Sequence, residues 1–142
     1  MKLLLVASFG GHWVQLKRIS ELLDGHEKTY VTTSNNLVQG SAHSIGDFSV
    51  REFYKGLIQF PKALKIIKKT QPDVVISTGA APGVLLLFAA FILGKKTIWI
   101  DSIANSKRLS LSGRISCLFS SRVLTQWPEL ARGRVQYLGR LL

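Results

Sequence analysis

The residues of this chain that could do chemistry in a defined pattern are concentrated at Ser8-Phe9-Gly10-Gly11-His12. The pentapeptide follows an apolar run of strand length, Leu3 to Ala7. It precedes Val14, Leu16, Ile19, Leu22 and Leu23, which recur at helical spacing. Gly10 and Gly11 at such a strand-to-helix turn allow a tight backbone and leave amide N–H groups at a helix N-terminus, where the dipole favours phosphate or another anion. A histidine titrates near about 6.5, and a helix N-terminus favours its neutral form, so His12 is a candidate general base for a sugar hydroxyl. A capping or anion-binding role is the alternative, and a tight turn with an incidental histidine is the plainest reading. The loop lacks GxGxxG, and Ser34, Asn35 and Asn36 stand where a dinucleotide enzyme would place an acidic residue. GxxxxGK[ST] is absent, so P-loop phosphoryl transfer is also disfavoured. With three scattered histidines and the single Cys117, neither a metal site nor a Cys-His dyad is expected, and no cofactor is implied.

These side chains need a scaffold, and the rest of the sequence describes one. Its 142 residues fit one domain, 1–142, and 46% hydrophobic content excludes a disordered chain. Strand-length runs at Leu3 to Ala7, Lys28 to Thr33, Asp73 to Ser77, Lys96 to Asp101, Arg122 to Gln126 and Val135 to Leu138 alternate with helical segments. Helices are expected from Val14 to Leu23, from Gly56 to Thr70, through an apolar segment ending at Leu93, and from the Ser-rich loop to about Ser120. Leu37 to Val50 reads as a loop. The alternation predicts an α/β fold with a Rossmann-like, doubly wound parallel sheet, whose ligands bind at the carboxyl ends of the strands. That rule selects Ser8 to Trp13, Ser34 to Asn36, Thr78 to Gly83 and Asp101 to Ser112.

Nineteen Lys and Arg against eight Asp and Glu give a net charge of +11, so an anionic partner is expected. On the helix from Gly56 to Thr70 and just before it, Lys55, Lys62, Lys65 and Lys69 fall within an arc of about 80°, with Ile58 and Ile66 among or beside them. Leu57, Phe60, Ala63, Leu64 and Ile67 gather opposite. Such a strip suits an anionic bilayer, although a solvated lysine face on a core-packed helix fits the same pattern. A second cluster comprises Lys107, Arg108, Arg114, Arg122, Arg132, Arg134 and Arg140. Without a zinc-finger spacing, an aromatic RNA-binding strand or a recognition helix, no nucleic-acid partner is expected, and a basic nucleic-acid-binding domain is the weaker alternative. The uncharged stretch from Gly79 to Gly94 would span about 24 Å as a helix, short of the roughly 30 Å hydrocarbon core, so a buried helix is the better reading. A dip of Val84 to Leu93 into one leaflet is the alternative.

Gly10-Gly11-His12, Ser77-Thr78-Gly79, Asp101-Ser102, Leu109 through Arg114, Thr125-Gln126-Trp127-Pro128 and Tyr137-Leu138-Gly139 occur in an order and spacing with a wider resemblance. Together they resemble the oligosaccharide-biosynthesis family that includes subunit fourteen of the asparagine-linked glycosylation pathway and its bacterial PssD-type relatives. The resemblance implies one half of a split, metal-independent, inverting glycosyltransferase of the GT-B type, related to MurG. This half corresponds to the N-terminal domain, on the acceptor and membrane side. A small partner subunit would bind the nucleotide sugar, and the pair would transfer sugar from a UDP donor to a polyprenyl-diphosphate-linked saccharide.

Matched by motif, Gly10, Gly11 and His12 face the cleft near the acceptor diphosphate. Thr78, Gly79, Ser102, Arg108 and Ser110 join them as acceptor- or phosphate-binding residues, and Asp101, which stands where relatives commonly carry Glu, is a second candidate catalytic residue beside His12. Gln126 and Trp127 are implied contacts of the partner or a sugar. Membrane association is expected through the helix carrying Lys55, Lys62, Lys65 and Lys69, through the apolar Val84 to Leu93 segment, or through a partner. Eukaryotic members begin with a transmembrane segment, whereas here a strand is expected from residue 2. The implied setting is therefore capsule or exopolysaccharide synthesis, with the chain cytoplasmic and peripheral to the inner face of the cytoplasmic membrane. A non-catalytic anchor or activator of a partner transferase is the competing class.

Overall fold

Short runs of β-branched and aliphatic residues pair side by side, and the helical segments between them carry the chain back to start each new strand in the same direction. The computed structural model describes residues 1–34 and 42–139. In order these form β1 (Lys2–Ala7), α1 (Gly11–Glu21), β2 (Glu27–Thr32), β3 (Ala42–Ser44), α2 (Phe53–Thr70) and β4 (Val74–Gly79). Then come α3 (Ala81–Ile92), β5 (Lys96–Ile100), α4 (Leu111–Ser116), β6 (Arg122–Thr125) and β7 (Val135–Tyr137). The seven strands make one sheet in the order β3-β2-β1-β4-β5-β6-β7, and every pairing is parallel. This is the expected Rossmann-like α/β architecture.

A parallel sheet covered on both faces needs strands that are apolar at every position, and β1 meets that condition with Leu3 to Ala7 buried. Side chains alternate between faces. Leu4 and Val6 enter the core beneath α2 and α3 with Val75, Ile67, Leu86 and Ala90. Leu3, Leu5 and Ala7 enter the core beneath α1 with Leu16 and Ile76. Gly83 lets α3 lie close on β4, because a Cβ there would collide with the Ser77 hydroxyl.

Several expectations shift. Within the predicted loop from Leu37 to Val50, residues 42–44 pair with Tyr30, Val31 and Thr32 as an edge strand. Three residues are too few to show a period, and the pairing comes from β2. Asn35, Asn36, residues 37–41 and Arg140 lie outside the described residues. The helix expected to start at Gly56 begins at Phe53, after a 3-10 turn at Val50–Glu52 whose Ser49–Glu52 capping box directs the chain into it. The last helix stops at Ser116 rather than near Ser120.

Helix faces also differ from the periodic reading. Ile66, expected beside the lysines, is buried, whereas Leu57, expected in the core, is 69% exposed. In the first turns of α2 only Gly56 is buried, against the Phe48 ring, whereas the later turns send Ala63, Ile66 and Ile67 into the core. The apolar α3 buries Leu86, Leu87, Ala89 and Ala90 but leaves Phe88, Phe91 and Ile92 partly exposed. Among the described residues no helix is long and apolar enough to cross a membrane.

On β3, desolvation lowers the pKa of His43 below its ordinary value of 6.5, helped by the charges of Lys69 and Lys62. Below pH 6.5 the unfolded chain therefore takes up this proton before the folded one, and stability falls on acidification. His43→Gln should reduce that loss, as urea-unfolding midpoints compared between pH 7.5 and 5.5 would reveal.

Candidate functional site

Strand order runs outward in opposite directions from β1 and β4, so the segments leaving their carboxyl ends diverge and open a crevice. After β1 the chain turns at Gly10, whose φ of +111° favours glycine, and enters α1 with no side chain capping its first amides. Those N–H groups have no intrahelical partners and lie at the positive end of the helix dipole.

Two reciprocal hydrogen bonds tie this turn to the end of β4. His12 Nδ1 lies 3.0 Å from the Thr78 carbonyl oxygen, and Thr78 Oγ1 donates to the His12 carbonyl at 2.7 Å. A carbonyl can only accept, so Nδ1 carries the hydrogen and the neutral ring keeps its acceptor lone pair on Nε2. Gly79 is needed beside it: its φ is +131°, and an added Cβ would stand 2.6 Å from His12 Nδ1. Ser8 completes the junction, its N–H donating to Gly79 O at 2.7 Å and its Oγ accepting from Ala80 N at 2.8 Å.

The opposite wall hangs on Asp101, just past β5 and 1% exposed. Its Oδ1 accepts from Trp99 Nε1 at 3.0 Å and from Ser110 Oγ at 2.5 Å, while Oδ2 accepts from Ser110 N at 3.0 Å. Ser110 is also the N-cap of α4, where its Oγ accepts from Gly113 N at 2.9 Å. A Cβ on Gly113 would lie 2.8 Å from Asp101 Oδ1 and 3.0 Å from Trp99 Nε1, so only glycine lets α4 approach this closely.

A third group bridges the two walls. Gln15, one helical turn after His12, donates through Nε2 to Ser102 Oγ at 3.0 Å and accepts from Gln126 Nε2 at 2.8 Å. Gln126 also donates to the Asp101 carbonyl at 3.0 Å.

These walls enclose a polar cleft of about 450 Å³ lined by Gly11, His12, Gln15, Thr78, Gly79, Asp101, Ser102, Asn105 and Ser110, among others. Seven of the sequence-predicted residues thus meet around one cavity. Gly10 shapes the turn without lining the cleft, and Arg108 lies exposed on the loop beyond it. Gln126 is a correction: expected at a partner or sugar surface, it is 2% exposed and braces Gln15 and the Asp101 carbonyl. Trp127 is half-buried and donates through Nε1 to the Ile103 carbonyl at 2.6 Å. Lys55, Lys62, Lys65 and Lys69 are exposed on α2, with Lys55 paired to Glu52 at 2.6 Å.

Asn105 falls within the selected Asp101 to Ser112 segment, whereas Gln15 lies outside every selected segment although it follows His12 at i+3 and shares its helix face. Elsewhere, burial pushes the Cys117 thiol up against the opposing charge of Arg134, which leaves it protonated and poorly nucleophilic. Among the described residues no three metal-ligating side chains cluster to hold a metal ion.

Since Asp101 accepts hydrogen bonds only from inside the fold, Asp101→Asn should destabilise the protein by about 2–3 kcal/mol in urea unfolding, because the amide turns a donor toward a donor. Ser110→Ala should cost about 1–2 kcal/mol. Because both changes break the same bond, the double variant should fall short of their sum by at least about 0.5 kcal/mol.

Comparison with solved structures confirms the fold. Acinetobacter baumannii MurG superposes with a TM-score of 0.78 over 96% of this chain and 45% of its own, at 15% identity, matching its N-terminal domain. The UDP-N-acetylglucosamine 2-epimerase of Rickettsia bellii gives a TM-score of 0.72 over 99% of this chain and 45% of its own, at 13% identity. Sequence comparison goes further. The UDP-N-acetylglucosamine transferase subunit ALG14 of Yarrowia lipolytica is 35% identical over 71% of this chain and 50% of its own length. The Mus musculus subunit of the same name is 26% identical over 100% of this chain and 83% of its own. The Schizosaccharomyces pombe subunit is 43% identical over 48% of this chain and 36% of its own, so the chain spans half or less of either yeast relative. A family model described as "Oligosaccharide biosynthesis protein Alg14 like" matches residues 15–141, a span that begins just after the Gly10–His12 turn. Matched along nearly its whole length, the chain belongs to the Alg14-like family of oligosaccharide biosynthesis proteins.

Proposed function

We propose that this chain is the acceptor-side subunit of a two-component glycosyltransferase. It would act with a nucleotide-sugar-binding partner to move a sugar from a UDP donor onto a polyprenyl-diphosphate-linked saccharide. The names of the relatives make N-acetylglucosamine the first donor sugar to test. They and the family description speak for oligosaccharide assembly, not for the capsule or exopolysaccharide setting expected from the sequence. The observation that carries the reading is the His12–Thr78 pairing, which leaves an acceptor nitrogen in a polar cleft at the switch point of the sheet.

In this reading the saccharide hydroxyl approaches His12, and Nε2 takes its proton as the oxygen attacks the anomeric carbon. The bond from that carbon to the UDP oxygen breaks with its electron pair going to the diphosphate, and configuration inverts. The first amides of α1 face the acceptor diphosphate, with Thr78, Ser102 and Ser110 as additional hydrogen-bonding groups. Asp101 would position α4 and Ser110 rather than take the proton, because its oxygens already accept from Trp99 and Ser110. Arg108 and Trp127 are assigned to the side facing the partner. The lysines of α2 would hold the chain peripherally on an anionic membrane, on its cytoplasmic face.

His12→Ala in the reconstituted pair should lower kcat roughly 10²–10⁴-fold with little change in acceptor KM, as measured by transfer from UDP-N-acetylglucosamine to lipid-linked acceptor vesicles. Unchanged turnover, or full transfer by the partner alone, would make the chain an anchor or activator. Replacing Lys62, Lys65 and Lys69 together by Gln should weaken binding to anionic vesicles by about 100-fold at low salt, at about 1 kcal/mol per lysine, with the difference shrinking as salt rises. Cosedimentation across a salt series measures both effects.

A further inference from the structure

We propose that a basic hollow at the amino ends of β5, β6 and β7 binds a phosphate group, at the end of the sheet opposite the polar cleft. The inference stands apart from the transferase reading and uses residues that reading leaves idle. The hollow has a volume of about 530 Å³ and is lined by Lys96, Ser121, Arg122, Gly133, Arg134 and Gln136. Three of the six are cations, and neither a carboxylate nor an apolar side chain is among them. Arg122 and Arg134 belong to the second basic cluster of the sequence, where Glu129 is the single acidic residue from Ser102 to the end of the chain.

Strand register brings these side chains together. Lys96 opens β5 and Arg122 opens β6. Ile98, two residues on from Lys96, pairs with Arg122, and Leu124, two residues on from Arg122, pairs with Gln136. Alternation along each strand therefore sends Lys96, Arg122 and Gln136 out of one face of the sheet. Arg134 is fixed from the adjoining turn, where its guanidinium donates to the carbonyls of Cys117 and Ser120, just after α4. Arg122 Nη1 donates to Gln136 Oε1 at 3.0 Å, which leaves Nη2 and Nε without a partner among the described residues. Ser121 is held as well: its Oγ accepts from Thr97 N and its N–H donates to Thr97 Oγ1, both at 3.0 Å, so its hydroxyl hydrogen is still available to an acceptor.

Like charges on neighbouring strands repel, and neither ion pair found among the described residues involves Lys96, Arg122 or Arg134. A bound anion relieves that repulsion, and the lining selects its kind. A guanidinium presents paired donors in a plane that matches phosphate oxygens, and a phosphate monoester carries about −1.5 to −2 charges at neutral pH, where a carboxylate carries one. None of the six residues offers a ring on which a nucleobase could stack or an apolar wall for a hydrocarbon chain. With Arg134 and Ser121 already held, little side-chain freedom is lost on binding. The recognised group is thus a phosphate monoester dianion, free in solution or at the head of a lipid such as phosphatidic acid.

Backbone-amide and arginine side-chain NMR shifts of the full chain, titrated with inorganic phosphate in about 0.15 M salt to screen diffuse attraction, test the assignment. The hollow predicts saturable shifts at Arg122, Gly133 and Gln136. Lys96→Gln and Arg122→Gln, both at exposed positions, should each weaken this binding at least about ten-fold, as loss of a charge-assisted hydrogen bond requires. Lys68→Gln removes the same charge from the exposed face of α2 and should leave the affinity unchanged. Shifts that rise without saturating, that survive Arg122→Gln, or that occur only at the Gly10–His12 turn would overturn the proposal. Equal weakening by Lys68→Gln would do the same, since binding would then follow net charge alone. Cosedimentation with phosphatidic acid vesicles, against phosphatidylglycerol vesicles of equal surface charge, distinguishes the two sources. A lipid source predicts a preference for phosphatidic acid that Arg122→Gln erases, and a free source predicts no preference. A preference that Arg122→Gln leaves in place belongs to another surface and counts against the lipid source.

Discussion

The two hydrogen bonds exchanged between His12 and Thr78 brace the α1 turn against the end of β4, beside the ladder that joins β1 to β4. Parallel strands ordered outward from β1 and β4 send their following segments to opposite faces, and the bonds of Ser8 to Gly79 and Ala80 hold the same junction. The His12–Thr78 pairing adds to them, and in the same act it chooses the imidazole tautomer. Gly10 and Gly79 are its conditions, one through a positive φ that starts α1 and the other through the space the imidazole occupies. Bracing of the junction and the placement of an acceptor nitrogen are therefore consequences of one contact.

The far wall of the cleft follows a different logic. Asp101 is a buried carboxylate whose cost is offset by three donors, two of them from Ser110, and through that serine it sets where α4 begins. Leaving any of these donors unpaired would expose a buried polar group to an apolar surround. The network therefore resists substitution more strongly than its small number of bonds suggests. Gln15 and Gln126 extend it across the cleft, so that α1, the ends of β5 and β6 and the start of α4 are held as one frame.

The cleft and an apolar groove between α2, α3 and α4 lie on either side of the start of α3, and their chemistries differ. Hydroxyls, amides, an imidazole and the Asp101 carboxylate share the first with Ala80, Trp99 and Ala104, while aliphatic and aromatic side chains alone line the second.

The sequence by itself determined the fold class, because parallel strands buried on both faces must be nearly all apolar, and Leu3 to Ala7 or Val74 to Ile76 can be little else. It also located most of the cleft, since ligands of such sheets gather at strand ends, and Gly10-Gly11-His12, Thr78-Gly79 and Asp101-Ser102 follow strands. Tertiary structure alone decided what those residues do. Asp101 and Gln126 are polar side chains at strand ends, as a catalytic or contact residue would be, and only their partners reveal that both brace the frame. The edge strand at residues 42–44 has no local signal because β2 induces it. Helical periodicity placed Leu57 in the core and Ile66 near solvent, yet α2 meets the sheet only through its later turns, so the opposite holds. Periodicity defines a helix face relative to its own axis, whereas the crossing of neighbouring helices decides which part of that face finds anything to pack against.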